Sequence, residues 1–308
     1  RDYSRVGTTV AAAGDTNGDG LADLLVSGEL RLMNEDTGSE SYGPGRVYLV
    51  HGRDWESAAT SSVADADAAW SGEGDGHAAG LGLARGGDLN GDGFTDPVIG
   101  APYAASYKGR VYALPGGAQL TSSSLTDAPV QIDGESSYDT FGWSVTTGDL
   151  DGDGLAELIV GAPLSDHGWE NGGAVWVYRG AVDFFEGSPT AQTVFRGEFD
   201  DHQLGTGLVA HADLTADGHP DLVMGAVSAW KDLVTKSGRM TLATGPIDSW
   251  PDVVDVGQLD IQLHGESVKD YLGRAAAASD LNGDGHADLV VGSGYTNSAG
   301  YDSGSLYL

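Results

Sequence analysis

The chain has 308 residues and no cysteine, which excludes disulfides, thiol nucleophiles and thiolate metal centres. Cations are scarce: 15 Lys and Arg stand against 46 Asp and Glu, for a formal charge of −31. Such a surface repels phosphate backbones and anionic headgroups, so nucleic-acid and membrane partners are not expected. No run of 18 apolar residues is present to cross a bilayer. Nor does a basic, apolar leader open the sequence, and Arg1-Asp2-Tyr3 is expected to be a processed or trimmed start. Helical periodicity is missing throughout. There is no Gly-x-Ser-x-Gly elbow for a serine nucleophile. The eight histidines (His51, His77, His167, His202, His211, His219, His264 and His286) form no zinc-type pair. Acids are so abundant that no one carboxylate pair signals acid–base catalysis.

What the chain does have is glycine, 49 residues against 10 prolines, and a nine-residue acidic loop. In Asp280-Leu-Asn-Gly-Asp-Gly-His-Ala-Asp288, oxygen-bearing side chains fall at positions 1, 3, 5 and 9: Asp280, Asn282, Asp284 and Asp288. Gly285 at position 6 permits a sharp turn, and His286 at position 7 can add its backbone carbonyl. A donor set made only of hard oxygens suits Ca²⁺. The same loop recurs as Asp15, Asn17, Asp19, Leu21 and Asp23, then as Asp88, Asn90, Asp92, Phe94 and Asp96. A third copy is Asp149, Asp151, Asp153, Leu155 and Glu157, and a fourth is Asp213, Thr215, Asp217, His219 and Asp221. About five structural Ca²⁺ are expected, the Thr215 loop offering the poorest donors. Position 12 is apolar in every copy (Val26, Ile99, Val160, Met224, Val291), where an EF-hand needs a bidentate Glu. Sixteen of the 46 acids sit at these positions, and five Ca²⁺ would bring the net charge to about −21.

Each loop stands inside the same grammar. An apolar residue and Gly precede it: Val6-Gly7, Leu81-Gly82, Phe141-Gly142, Leu204-Gly205, Leu272-Gly273. A β-rich run follows, then a variable polar loop and an alternating strand such as Arg110-Val-Tyr-Ala-Leu114 or Ala174-Val-Trp-Val-Tyr178. A further short strand ends near Gly-Glu, as at Gly72-Glu73, Gly134-Glu135, Gly197-Glu198 and Gly265-Glu266. Four short strands with glycine-rich turns, repeated every 60–70 residues, predict an all-β fold, a β-propeller of four-stranded antiparallel blades. The repeats span approximately residues 1–74, 75–135, 136–198, 199–266 and 267–308 of a single domain.

Phe141-Gly142, the Asp149–Glu157 loop and Gly161-Ala162-Pro163 together resemble the FG-GAP repeat of integrin α-subunit propellers, and Gly100-Ala101-Pro102 after Asp88–Asp96 is a second close match. The other copies depart, with Ser27-Gly28-Glu29, Gly225-Ala226-Val227 and Gly292-Ser293-Gly294 at that place. The resemblance implies calcium loops between the first and second strands of each blade. It also implies seven blades where this chain has five. The fifth unit stops at its third strand, so either a smaller ring closes, the reading adopted, or the chain is a fragment of a larger one.

In such blades the first-to-second and third-to-fourth loops share one end, and the second-to-third loops and blade connections share the other. The second set carries Tyr42, Tyr103, Tyr107, Trp169, Trp230, Tyr295 and Tyr301, an aromatic set suited to a protein or glycan partner, loop packing being the plainer reading. The expectation is a secreted or cell-surface, calcium-stabilised binding or adhesion module of integrin-α-propeller type. The alternatives are a polysaccharide lyase or hydrolase on the same scaffold, or a spacer domain of a larger surface protein.

Overall fold

The strand-forming runs named above fold as strands in the computed structural model, which describes residues 6–28, 31–33, 40–53, 62–118, 120–230, 236–294 and 304–308. The protein is all-β, and each sequence repeat is one blade of a β-propeller fold. The four-residue helical turn Ala104–Tyr107 is no exception. Ala105 and Ser106 are left-handed there, at φ 52° and 61°.

The chain divides into two compact units: Arg1–Val145 with Gly180–Pro189, and Thr146–Arg179 with Thr190–Leu308. In the first unit, repeat 1 pairs Val10–Gly14, Asp23–Gly28, Arg46–Val50 and Ala68–Ser71 in that order. Repeat 2 pairs Gly82–Leu83, Val98–Ala101, Arg110–Ala113 and Val130–Asp133. In the second unit, repeat 4 pairs Leu204–Ala212, Asp221–Ala226, Arg239–Ala243 and Ile261–His264. Repeat 3 is built the same way from Ser144–Gly148, which runs across the division, Glu157–Ala162, Ala174–Tyr178 and Ala191–Arg196. Repeat 5 has three strands among the described residues: Ala275–Ser279, Asp288–Ser293 and Ser305–Tyr307.

Two sheets gain a fifth strand that the repeat pattern does not announce. Ser123–Ser124, from the third-to-fourth connection of repeat 2, adds in parallel to Ala68–Ser71 of repeat 1. Val253–Asp255 of repeat 4 adds in the same way to Ala191–Arg196 of repeat 3. Each connection carries a 3-10 turn that buries an aliphatic side chain: Leu125 in one, Ile247 and Val256 in the other.

The core lies between facing sheets. Leu25, Leu49 and Trp70 of repeat 1 meet Ile99, Tyr112 and Leu125 of repeat 2 in one cluster. Val175, Val177 and Phe195 of repeat 3 meet Leu222, Met224, Ile247 and Val256 of repeat 4 in another. Close approach fixes glycine in the second strand. A Cβ on Gly100 would stand 2.0 Å from the Gly142 carbonyl oxygen, and one on Gly225 1.8 Å from that of Gly273. The same contacts correct one assignment. The element equivalent to Phe141-Gly142 in repeat 2 is Ala79-Gly80, not Leu81-Gly82. A Cβ on Gly45 would strike the Ala79 backbone at 2.1 Å, as one on Gly109 would strike Phe141.

Candidate functional site

Each acidic loop joins the first and second strands of its blade and is held by its own carboxylates. The position 1 carboxylate accepts backbone N–H bonds from positions 4 to 6: Asp15 from Gly18 at 2.7 Å and Gly20 at 2.8 Å, Asp280 from Gly283 at 2.7 Å and Gly285 at 2.9 Å. Those bonds hold Asp280 and Asp213 below the usual carboxylate range. The position 9 carboxylate turns inward and accepts from the position 2 N–H. Asp96 takes Leu89, Glu157 takes Leu150 and Asp221 takes Leu214, each at 2.7 Å. It also ties in the third-to-fourth connection, Gly52 N–H reaching Asp23 at 2.8 Å and Gly116 N–H reaching Asp96 at 2.7 Å. Burial pushes the Asp96 carboxyl up to about 7, against the pull of those two N–H groups and with help from the charges of Asp92 and Asp88.

Positions 1, 3 and 5 lie nearer the solvent, although the Asp151 side chain, paired with Arg179, is only 4% exposed. In repeat 3, Asp149, Asp151 and Asp153 each bring a carboxylate oxygen within 4.8 Å of the others. Three such charges favour a cation between them, and the Arg179 guanidinium already pairs with Asp151 while bonding Asp248 at 2.8 Å. In repeat 1 the Asn17 amide donates to Asp19 at 2.9 Å, and Asn90 does the same to Asp92 at 3.0 Å. Repeat 4 differs: the Thr215 hydroxyl leans toward Asp221 at 3.4 Å, and Ala216 stands at φ 60° where the other loops have glycine. The carbonyl-bearing residues Leu21, Phe94, Leu155, His219 and His286 follow directly, as the loop pattern requires. All five loops thus present oxygen donors only, the chemistry that fits a hard divalent cation.

The opposite ends of the blades carry a different feature. In the first unit Tyr42, Tyr103, Tyr107 and Tyr138 form a ladder with centroid separations of 4.7, 6.5 and 5.4 Å. Left-handed backbone at Tyr107 (φ 66°) and Tyr138 (φ 75°) turns the outer pair toward solvent, with exposures of 52% and 67%. The sequence pattern pointed to the first three and missed Tyr138, which lies in the connection between repeats 2 and 3. In the second unit Trp169 stands against Phe199 at 6.0 Å, and Trp230 lies under Lys236 at 5.5 Å. Tyr295 and Tyr301 lie outside the described residues.

Ion pairs between blades were not legible in advance. The Gly-Glu end of one repeat reaches the first residue of the third strand of the next: Glu73 to Arg110 at 2.7 Å, Glu198 to Arg239 at 2.9 Å. Arg110 also grips Asp133, which together with Glu73 holds the guanidinium above its ordinary range.

The FG-GAP repeat matches residues 79–114, 141–178 and 272–308. Its first match starts at Ala79, in agreement with the corrected register. Bos taurus phosphatidylinositol-glycan-specific phospholipase D is 30% identical over 178 residues, 54% of this chain and 20% of that protein. Homo sapiens integrin alpha-7 is 31% identical over 199 residues, 64% of this chain and 15% of the integrin. The chain therefore spans a fifth or less of the length of these relatives. Among solved structures, a Bacillus licheniformis rhamnogalacturonan lyase aligns with TM-score 0.47 and 11% identity, over 94% of this chain and 47% of the lyase. The chain thus carries FG-GAP repeats on a five-bladed β-propeller fold and is similar to integrin α chains.

Proposed function

We propose that the chain is a calcium-stabilised binding module at or outside the cell surface. Calcium would neutralise the acidic loops, and a protein or glycan would dock on the opposite ends of the blades. The observation that carries the reading is the segregation of the two features. Oxygen-donor loops lie at the end of each blade where its first-to-second strand turn lies, and the exposed tyrosine ladder of the first unit lies at the other. Tyrosines supply large contact area with little side-chain entropy to lose, which is why they concentrate at recognition surfaces. The integrin relatives support the surface location, and no helix among the described residues is long and apolar enough to cross a membrane. In repeat 3 the ion would be held by Asp149, Asp151, Asp153 and Glu157, with the Leu155 carbonyl, and the equivalent donors would serve elsewhere.

Two measurements test the reading. Weak extracellular sites bind at roughly 10⁻⁴–10⁻³ M, so a tenfold excess of calcium stabilises by about 1.4 kcal/mol per site. Melting in 2 mM calcium should exceed melting in excess EDTA by more than 10 °C, and an unchanged melt would remove the metal from the account. On protein and glycan arrays, binding by the wild type should vanish in the Tyr107→Ala/Tyr138→Ala double variant with no loss of melting temperature. Arrays that register equal binding by both would place the partner surface elsewhere.

A further inference from the structure

Arg110 and Arg239 each open a third strand and reach back to the Gly-Glu end of the preceding repeat. Arg110 Nη1 donates to Glu73 at 2.7 Å and to Gln131 at 3.1 Å, and Arg239 Nη1 donates to Glu198 at 2.9 Å and to Gln262 at 3.2 Å. The register is the same in both, Tyr112 pairing with Gln131 and Thr241 with Gln262. The other edge of the guanidinium differs. Arg110 turns Nε and Nη2 to the two carboxylate oxygens of Asp133, its neighbour on the fourth strand, with Nη2 at 2.9 Å. The neighbour of Arg239 at that place is His264.

Arg239 Nε and Nη2 are buried with no hydrogen-bond partner among the described residues, and the residue is 2% exposed. Parallel N–H groups of a cation are among the strongest donors a side chain offers, and leaving them unmatched inside a fold is costly. The sequence holds 46 Asp and Glu, yet none of the described ones meets this edge. Neighbouring groups are unmatched as well. The Thr241 hydroxyl, where repeat 2 has the bulkier Tyr112, is buried without a partner. So are both ring nitrogens of His202, which lies near enough for the Arg239 charge to act on it.

We infer that the Nε–Nη2 edge of Arg239 is a seat for an aspartate or glutamate side chain of a partner polypeptide, held as Arg110 holds Asp133. A planar carboxylate matches the two parallel N–H groups, which a spherical anion does not. The Asp133 side chain is 43% exposed, so in repeat 2 this seat faces outward. In repeat 4 the half-buried His264 would turn aside as the carboxylate enters, and the Thr241 hydroxyl would add a donor. The seat rests on neither calcium nor the tyrosine ladder, which belongs to the first unit.

The test uses the full chain, ¹⁵N-labelled, in saturating calcium. The Arg239 Nε–H resonance is assigned by its loss in Arg239→Lys. It should shift saturably at about 10–100 mM sodium acetate, the weak range that two charge-assisted bonds support, and not in sodium chloride of equal ionic strength. A blocked Gly-Asp-Gly peptide should displace acetate at lower concentration. His264→Asp, which rebuilds the arrangement of repeat 2, should raise the melting temperature and weaken the acetate response at least tenfold. Should that variant misfold, Arg239→Lys serves instead: it keeps the charge, loses the fork, and should abolish the rise in melting temperature that acetate gives the wild type. No saturable shift, an equal shift in chloride, or an undiminished response in His264→Asp overturns the proposal. So does tighter binding by a hexuronate trisaccharide than by the peptide, since an acidic sugar would then be the ligand.

Discussion

Ala216 sits at φ 60° in a loop position where the other repeats have glycine at φ 76–78°. Left-handed backbone costs a residue with a Cβ about 1–2 kcal/mol, partly offset by the smaller entropy of its unfolded state. Ala216→Gly should therefore stabilise the fold by about 0.5–1 kcal/mol in urea titration and tighten calcium at the Thr215 loop. His202 is a second residue with a measurable signature. It is buried, and neither ring nitrogen has a hydrogen-bond partner among the described residues. Burial, with Arg239 and Lys236 nearby, lowers its pKa to about 4. The fold thus favours neutral imidazole, a contribution present above pH 6.5 and lost progressively as pH falls toward 4. Between pH 7 and 5 His202→Gln should lose less stability than the wild type; equal losses would show that the ring does not titrate with folding. At this scale the loop ligands could be read because they lie within nine residues. The Arg–Glu pairs could not, since their partners are 37 and 41 residues apart and nothing local marks either one.

Among the elements, the second strand is tightly constrained. Gly225 leaves no room for a methyl group against the Gly273 backbone, whereas the equivalent Gly292 has nothing nearer than 3.7 Å. Gly225→Ala should cost about 1–3 kcal/mol by overpacking, and Gly292→Ala about 0.5 kcal/mol or less. Similar losses at both would mean that backbone freedom, not blade contact, selects glycine. The periodic strands were legible because alternation and turn residues are local properties. Two features were not. The parallel fifth strands join residues 53 and 59 apart, so no local signal specifies them. The lead of repeat 2 is Ala79-Gly80, and the larger Leu81 drew the assignment two residues too far.

For the molecule as a whole, −31 formal charges make self-repulsion a term that conditions can tune. Without calcium, exposed carboxylates repel one another at distances that 0.15 M salt screens with a Debye length of about 8 Å. Melting in EDTA should accordingly rise between 20 and 500 mM sodium chloride, and rise less in saturating calcium. Equal salt dependence in both would show that the loops contribute little to the repulsion.

The placement of those loops has a further consequence. Within each unit the acid-rich turns share one end of the blades, so the loop carboxylates of a unit form a local concentration of negative charge there. A flat, amine-coated support should capture the first unit by the end that carries its acidic loops, leaving the tyrosine ladder of that unit turned outward. Calcium should loosen that attachment by discharging the anchoring end. Orientation on a solid surface would then be adjustable by an ion that never touches the presented face.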